Sequence, residues 1–320
     1  MPLSKYKNVV FDKASNYEFH QLAESDALIK IFAFLLLIMK NIFDDYIFFI
    51  FACGNPKIEP DSLYIHSNKK KVLLYISEES GIIPYKFSQY YHAIFKAYLK
   101  TDTTGLNNIF NFPLCCVKNV PALSVLPMID RKYSVFFSGN LNINRVNFYL
   151  SLLSSRIPTT PYFCIRLSIF RKLLVSSKSN FDSRFLNAYI HFTKGFMQGL
   201  STIEYGQSIA NSKIVLCPSG LSSSECFRHY EAMRAGCIII SEKLPDTYFY
   251  QNSPIIQVHH WTDGLRKVAE LLENPIEMER LGDLTKKWWV ERCSEEATAQ
   301  FVFDKLTSMM TNSKTIESHT

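Results

Sequence analysis

Within the run ECFRHYEAMRAGCIIIS, residues 225 to 241, an arginine and a glutamate stand three apart, at Arg228 and Glu231. Three residues on a helix bring two side chains to one face, so the pair can act together. A guanidinium is suited to a phosphate or diphosphate, and a carboxylate accepts hydrogen bonds from sugar hydroxyls. The plainer alternative is an exposed ion pair worth a few tenths of a kcal/mol.

The surrounding residues must form the element that carries the pair. Ile214 to Cys217 reads as a strand broken by Pro218 and Gly220. Ser222, Ser223 and Ser224 offer N-caps for a helix that ends near Gly236, and Cys237 to Ile240 reads as the next strand. This is a βαβ unit. Cys226, Tyr230 and Met233, at i, i+4 and i+7, make the stripe that packs on the sheet, and the charged pair lies beside it. In open α/β sheets, ligands bind outside the carboxyl ends of the strands, where helix N-termini favour an anion.

The same alternation continues along the chain. YIFFIFA (46 to 52) and KVLLYIS (71 to 77) read as strands, with a Tyr-rich helix near 87 to 99. Pro113, Pro121 and Pro127 mark a weak stretch, with a linker near 125 to 132. YSVFFSG (133 to 139) begins the pattern again, followed by a helix from Arg145 to Ser155, and PIIQV precedes a last set of helices. Two tandem α/β domains result.

Composition narrows the classes. At 320 residues and 47% hydrophobic content, the chain can bury proper cores. Its net charge of +6 is spread along the sequence, which argues against nucleic acid and suits an anionic ligand or a membrane surface. Eight cysteines lack Cys-x-x-Cys spacing, and the N-terminus lacks a signal-peptide core, so a reducing cytoplasmic setting is expected. Residues 27 to 52 look membranous, but their longest uncharged run is Ile31 to Met39. They are expected to form a buried helix and a buried strand, with a helix on the bilayer surface as the alternative.

The run SKIVLCPSGLSSSECFRHYEAMRAGCIIIS resembles the donor-binding region of exostosin-like glycosyltransferases. The matching residues are Pro218, Gly220, Phe227, Arg228, Glu231, Ala232, Ala235, Gly236, Cys237 and Ile238. The resemblance covers roughly residues 130 to 300, with VFFSGNLNINRVNFY similar to the strand, turn and helix that open the C-terminal domain of such enzymes. It implies a GT-B fold, two Rossmann-like domains facing a cleft. Residues 1–128 would form the acceptor-side domain and 129–290 the nucleotide-sugar domain. A helix at 291–310 would cross back to the first domain, and 311–320 would be a disordered tail.

The implied donor is a nucleotide diphosphate sugar and the implied acceptor a glycan or a lipid-linked molecule, in surface polysaccharide synthesis. Retaining GT-B enzymes carry two glutamates separated by seven residues, whereas Glu225 and Glu231 are separated by five, which favours inversion. Members of the secretory pathway carry a membrane anchor. None is evident here, so a cytoplasmic enzyme is expected, with peripheral contact at the inner membrane face.

Such chemistry makes two demands. The departing diphosphate needs positive charge and amides, because no metal is expected. Arg228 and the amides of Ser222, Ser223, Ser224 and Glu225 are the first candidates, with Gly220 letting the chain turn. Ser138, Gly139, Asn140 and Arg145 are the second. The acceptor hydroxyl needs a general base, for which Glu78, Glu79, His92 and Asp102 are candidates. His259 and His260 point to opposite faces of a strand and lack a third ligand at a familiar spacing. A non-catalytic glycan-binding or scaffold subunit remains the alternative, with a sugar-nucleotide epimerase third.

Overall fold

The computed structural model describes residues 3–101, 108–153, 168–195 and 198–317. It divides into two compact units, one of residues 1–118, 245–251 and 290–320 and the other of 119–244 and 252–289. The first holds strands β1 (Val9–Phe11), β2 (Tyr46–Ala52), β3 (Lys70–Ile76), β4 (Ala93–Lys96) and β5 (Ile109–Asn111), with helix α1 (Ser25–Met39). The second holds β6 (Tyr133–Asn140), β7 (Tyr189–Thr193), β8 (Ser212–Cys217), β9 (Ile238–Glu242) and β10 (Ile256–Val258). Its helices are α2 (Val146–Leu152), α3 (Ser168–Ser177), α4 (Thr202–Ala210), α5 (Phe227–Arg234), α6 (Trp261–Leu272) and α7 (Pro275–Trp288). The last helix, α8 (Glu295–Glu317), belongs to the first unit.

Every strand pair in both sheets is parallel. Parallel sheets are covered on both faces, which is why their strands read as continuous apolar runs. In the first unit the order is β1-β2-β3-β4-β5, so the chain adds each strand beside the previous one. α1 is a helix because Ala27, Leu28, Ile31, Phe32, Leu35 and Met39 recur at three- and four-residue spacing and are all buried. It packs against α8 within the same unit, and no helix among the described residues is long and apolar enough to cross a membrane.

The Tyr-rich segment expected to be a helix is different. Pro84 opens a 3-10 turn, Tyr85–Tyr90, and the residues after it form β4, paired between β3 and β5. Ala93, Ile94 and Phe95 are fully buried, as a central strand requires. Tertiary pairing overrode the local pattern here.

The second sheet has the order β10-β9-β8-β6-β7. Its core gathers Val135, Phe137, Phe148, Ile190, Ile214 and Ile240, among others. The division between units falls between Lys118 and Asn119, earlier than the linker expected near 125 to 132. Asn119 takes the left-handed conformation (φ 62°), which turns the chain. Arg131, inside the expected linker, is buried and donates to the carbonyls of Leu126, Ser212 and Ala235 at 3.0, 2.8 and 3.0 Å. That fastens the segment into the second sheet. At the other end of the chain, the helix runs through Glu317, so residues 311–317 are helical where a disordered tail was expected.

Candidate functional site

The strand order of the second unit reverses at β6, because the chain goes from β6 outward to β7 and then returns to β8 on the other side. Such a reversal opens a crevice at the carboxyl ends of the two central strands. β6 ends with Ser138, Gly139 and Asn140, and β8 is followed by Pro218, Ser219 and Gly220. α5 starts at Phe227, and both Arg228 from α5 and Arg145 from the turn after β6 reach this crevice.

The two arginines meet over Gly139. A Cβ on that glycine would lie 3.0 Å from Nη2 of Arg228 and 3.1 Å from Nη1 of Arg145, so the absence of a side chain makes the approach possible. Both guanidinium groups also lie over the ring of Phe137, at 4.8 Å for Arg228 and 5.9 Å for Arg145. Each residue is only 7% exposed. Arg145 is well supplied with acceptors, donating from Nε to the Ser219 carbonyl at 2.9 Å and from Nη1 to Asn140 O and Oδ1, both at 3.0 Å. Arg228 is not. Its Nη2 donates to the Ser138 carbonyl, while its Nε and Nη1 are buried without a hydrogen-bond partner.

The electrostatics follow from that crowding. Burial, with Arg228 beside it, pushes the Arg145 guanidinium down to about 10. For Arg228, burial also opposes the charge, but Tyr205, Cys226, Cys217 and Glu231 outweigh it, and its pKa is raised. Two like charges held together with donors to spare form a receptor for an anion with several oxygens.

Glu231 is 3% exposed, so the exposed ion-pair alternative does not describe this pair. With Val120, Pro121, Leu123 and Ile209 it lines a shallow cavity with an apolar wall. Tyr230 and Met233 are buried as the apolar stripe requires. The serine run differs from its expected role. The N-cap of α5 is Cys226, and Ser222, Ser223 and Ser224 lie in the preceding bend, where Ser223 Oγ accepts from the Glu225 amide at 3.1 Å. The cap moved because His229, three residues after Cys226, turns its ring back onto the Cys226 backbone and completes a capping box. Gly220 permits the bend to fold closely, since a Cβ there would lie 2.9 Å from the Glu225 carbonyl oxygen. Asn144 fixes this loop by donating to the carbonyls of Gly220 and Leu221 at 3.1 and 2.8 Å.

The candidate bases lie in the first unit and do not come together. Glu78 is 1% exposed, with Oε2 3.2 Å from Nζ of the fully buried Lys96 and Oε1 accepting from the Ser80 amide and hydroxyl. Burial alone would raise its pKa, but the bonds to Ser80 and Lys96 prevail and hold it down. A carboxylate so engaged is a structural ion pair and a poor proton acceptor. His92 stands before β4, at the amino ends of the strands, whereas Glu78 and Glu79 follow the carboxyl end of β3. Burial lowers its pKa, with Lys70 adding to the effect. Asp102 lies outside the described residues.

Glu79 is half-buried and close enough to Glu24 for their charges to interact. Burial pushes Glu24, the N-cap of α1, up to about 7, with Glu79 adding a smaller repulsion. The sequence reading passed over Glu24 and Lys96. A lone charge ending the apolar run AIFK was the available signal for Lys96, whereas Glu24 becomes visible only through tertiary burial. Among the described residues, no three His, Cys, Asp or Glu side chains cluster as a metal ion would need.

No protein-family model matches the sequence, and no curated protein does. Solved structures match in three dimensions. Anabaena HepE in complex with UDP and glucose aligns with a TM-score of 0.50 over 94% of this chain and 99% of its own, at 9% identity. AviGT4, a glycosyltransferase involved in avilamycin A biosynthesis, aligns with a TM-score of 0.45 over 95% and 98% of the two chains, at 8% identity. TarM aligns with a TM-score of 0.44 and 13% identity over 85% of this chain, which spans 57% of TarM's length. The HepE match concerns the fold alone, and the chain has a GT-B type of fold with two parallel-sheet, Rossmann-like α/β domains.

Proposed function

We propose that this protein is a glycosyltransferase that takes a sugar from a nucleotide diphosphate donor and passes it to a glycan or lipid-linked acceptor. The observation that carries the reading is the pair of buried arginines meeting over Gly139, with two donor atoms of Arg228 unpartnered, at the strand-order reversal of the second unit. A diphosphate there would receive charge-assisted hydrogen bonds from Arg228, and its charge would relieve the repulsion between Arg228 and Arg145. As the donor bond breaks, negative charge grows on the departing diphosphate, and these fixed cations stabilise it more than the ground state. Glu231, three residues after Arg228 on α5, is the carboxylate we assign to the ribose hydroxyls. Ser138 and Gly139 bring backbone against the phosphates, and the Ser222 to Ser224 bend with Gly220 forms the facing edge.

For the acceptor we assign the general base to Glu79, with Glu24 as its neighbour. Glu78 is committed to Lys96, and His92 stands at the amino ends of the strands, opposite to Glu78 and Glu79. The reading includes inversion at the anomeric carbon without a metal, membership of the exostosin-like group, and a place in surface polysaccharide synthesis, on the motif residues named above. UDP is the first nucleotide to try, because a structural neighbour is a complex with UDP and glucose. It also includes a cytoplasmic site of action, with peripheral contact at the inner membrane face.

The test is donor turnover in chelator-treated buffer with UDP-, GDP- and CMP-linked sugars, followed by NMR of the anomeric proton. Slow acceptor-independent hydrolysis of one donor, releasing the inverted sugar, is expected. Nucleotide binding with no turnover of any donor would favour a non-catalytic glycan-binding or scaffold subunit.

A further inference from the structure

The loop that leaves β3 with Glu78 and Glu79 continues as Ile82 to Phe87 before it reaches β4. Together with Pro56, which follows β2, and Tyr75, near the end of β3, these residues line a cavity of about 220 Å³. It lies at the carboxyl ends of the strands of the first unit. An apolar cavity of about 150 Å³ is enough to hold a benzene molecule, so this one admits a larger hydrocarbon group.

The chemistry of the lining is uneven. Pro56, Ile82, Ile83, Pro84 and Phe87 bring no polar side-chain atom to it. Lys86 is spent on Glu59, with Nζ 2.9 Å from Oε1, and stands exposed at the rim with Tyr85. Tyr75 is different. It is 3% exposed and packs on Phe51 at 4.9 Å between ring centroids, yet among the described residues its hydroxyl makes no hydrogen bond. A phenol that far from solvent calls for a partner, and the cavity beside it is where one can enter.

The same wall is joined to the segment that carries the base assigned above. Nζ of Lys96 lies 4.7 Å from the centre of the Tyr75 ring and donates to the carbonyl of Glu78, the residue before Glu79, at 2.8 Å.

We propose that this cavity holds the hydrocarbon stem of the acceptor, with the Tyr75 hydroxyl bonded to the oxygen that joins stem to headgroup. The acceptor is then lipid-linked and not a free glycan, an identification that rests on the transferase reading above. A pyranose ring carries several hydroxyls, and the buried part of the lining offers them one uncommitted side-chain partner, so a sugar seated here would leave polar groups unpaired. A hydrocarbon chain ending in a single oxygen leaves none unpaired. Ile82 and Tyr85, 53% and 57% exposed, lose apolar surface to the same chain as it leaves the cavity.

The experiment is a saturation-transfer NMR titration of the full-length protein with geraniol, 1-octanol and maltose, on the wild type, Ile82→Asp and Tyr75→Phe. Ile82 stands at the exposed rim, so the aspartate puts a charge at the mouth without entering the core, and Tyr75→Phe removes only the hydroxyl. The alcohols should bind, the stronger of the two telling a branched isoprenoid stem from a straight acyl one, and maltose should not. Affinity for the better alcohol should fall about tenfold in Ile82→Asp and about fivefold in Tyr75→Phe. No saturable binding of either alcohol to the wild type overturns the proposal, as does an affinity that Ile82→Asp leaves unchanged. An affinity unchanged in Tyr75→Phe overturns the part given to the hydroxyl, and if Ile82→Asp fails to fold, Tyr75→Phe decides alone. Alcohol binding by a protein that binds no nucleotide keeps the hydrocarbon site and sinks the transferase reading. Donor turnover with maltose bound and both alcohols ignored sinks the hydrocarbon site and keeps that reading.

Discussion

The two units each carry buried charge at the carboxyl ends of a parallel sheet, and they treat it in opposite ways. In the first unit, Glu78 and Lys96 are opposite charges, with Oε2 3.2 Å from Nζ, and Lys96 also donates to the carbonyls of Glu78 and Ala97 at 2.8 and 2.7 Å. In the second, Arg145 and Arg228 share a sign, and Arg228 keeps two donors unspent. The sheets differ in the same sense. Strands of the first unit are added in one direction, whereas those of the second reverse at β6 and leave a crevice. Buried charge that is paired holds a fold together, and buried charge that is unpaired marks a place for a ligand.

The largest expected effect comes from breaking the opposite-charge pair. Lys96→Met leaves the Glu78 carboxylate buried without its partner, and should cost about 3–5 kcal/mol in a urea melt at neutral pH. Adding Glu78→Gln should recover a large part of that loss. Arg228→Gln should behave differently. It removes a guanidinium whose Nε and Nη1 have no hydrogen-bond partner, so the ligand-free protein should lose far less stability than with Lys96→Met, while nucleotide affinity falls about a hundredfold in calorimetry. A loss of stability as large as that of Lys96→Met would erase the contrast between the units.

Glu24 sharpens the comparison through pH. Its folded pKa of about 7 lies above the ordinary carboxylate value, so the folded state holds a proton that the unfolded chain has lost between about pH 4.5 and 7. Its contribution is therefore fully present below that window and lost as pH rises through 7. Glu24→Gln should stabilise the protein at pH 8 by up to about 3 kcal/mol relative to wild type, and by little at pH 5. Glu78 titrates in the reverse sense. Its pKa is held down, so its contribution is present above the unfolded value and is lost as pH falls through the folded one.

The smallest effect is expected for Gly139→Ala. The added methyl meets the far ends of two arginine side chains, which can shift by a few tenths of an ångström. Nucleotide affinity should fall about tenfold, with the melting temperature almost unchanged, because the guanidinium geometry is altered and no core is disturbed.

What the sequence made legible was the local part of this arrangement. YIFFIFA forms β2 over the span read for it, because a continuous apolar run has one use in a covered parallel sheet. The strand, loop, helix and strand from Ser212 to Glu242 were readable from Pro218, Gly220 and the helical stripe. Reading Arg228 and Glu231 as a pair on one face also picked out α5, the helix proposed above to carry the donor site. Their burial was not readable, because it depends on Phe137 and Gly139, about ninety residues away in sequence and adjacent only once β6 and β8 pair. The Glu78–Lys96 bridge was hidden for the same reason, and without it Glu78 looked like a loop carboxylate free to act as a base. The segment around His92 was misread because its aromatic content suits a helix or a strand, and the partners on either side decided between them.

The most direct test of the central claim is a calorimetric titration of UDP, with GDP and CMP in parallel, into chelator-treated wild type and Arg228→Gln. One nucleotide should bind the wild type and lose about a hundredfold in affinity in a variant that still folds cooperatively without ligand. Equal affinity in both proteins, or no binding to a folded wild type by any of the three, would mean that the unspent donors of Arg228 do not hold a nucleotide.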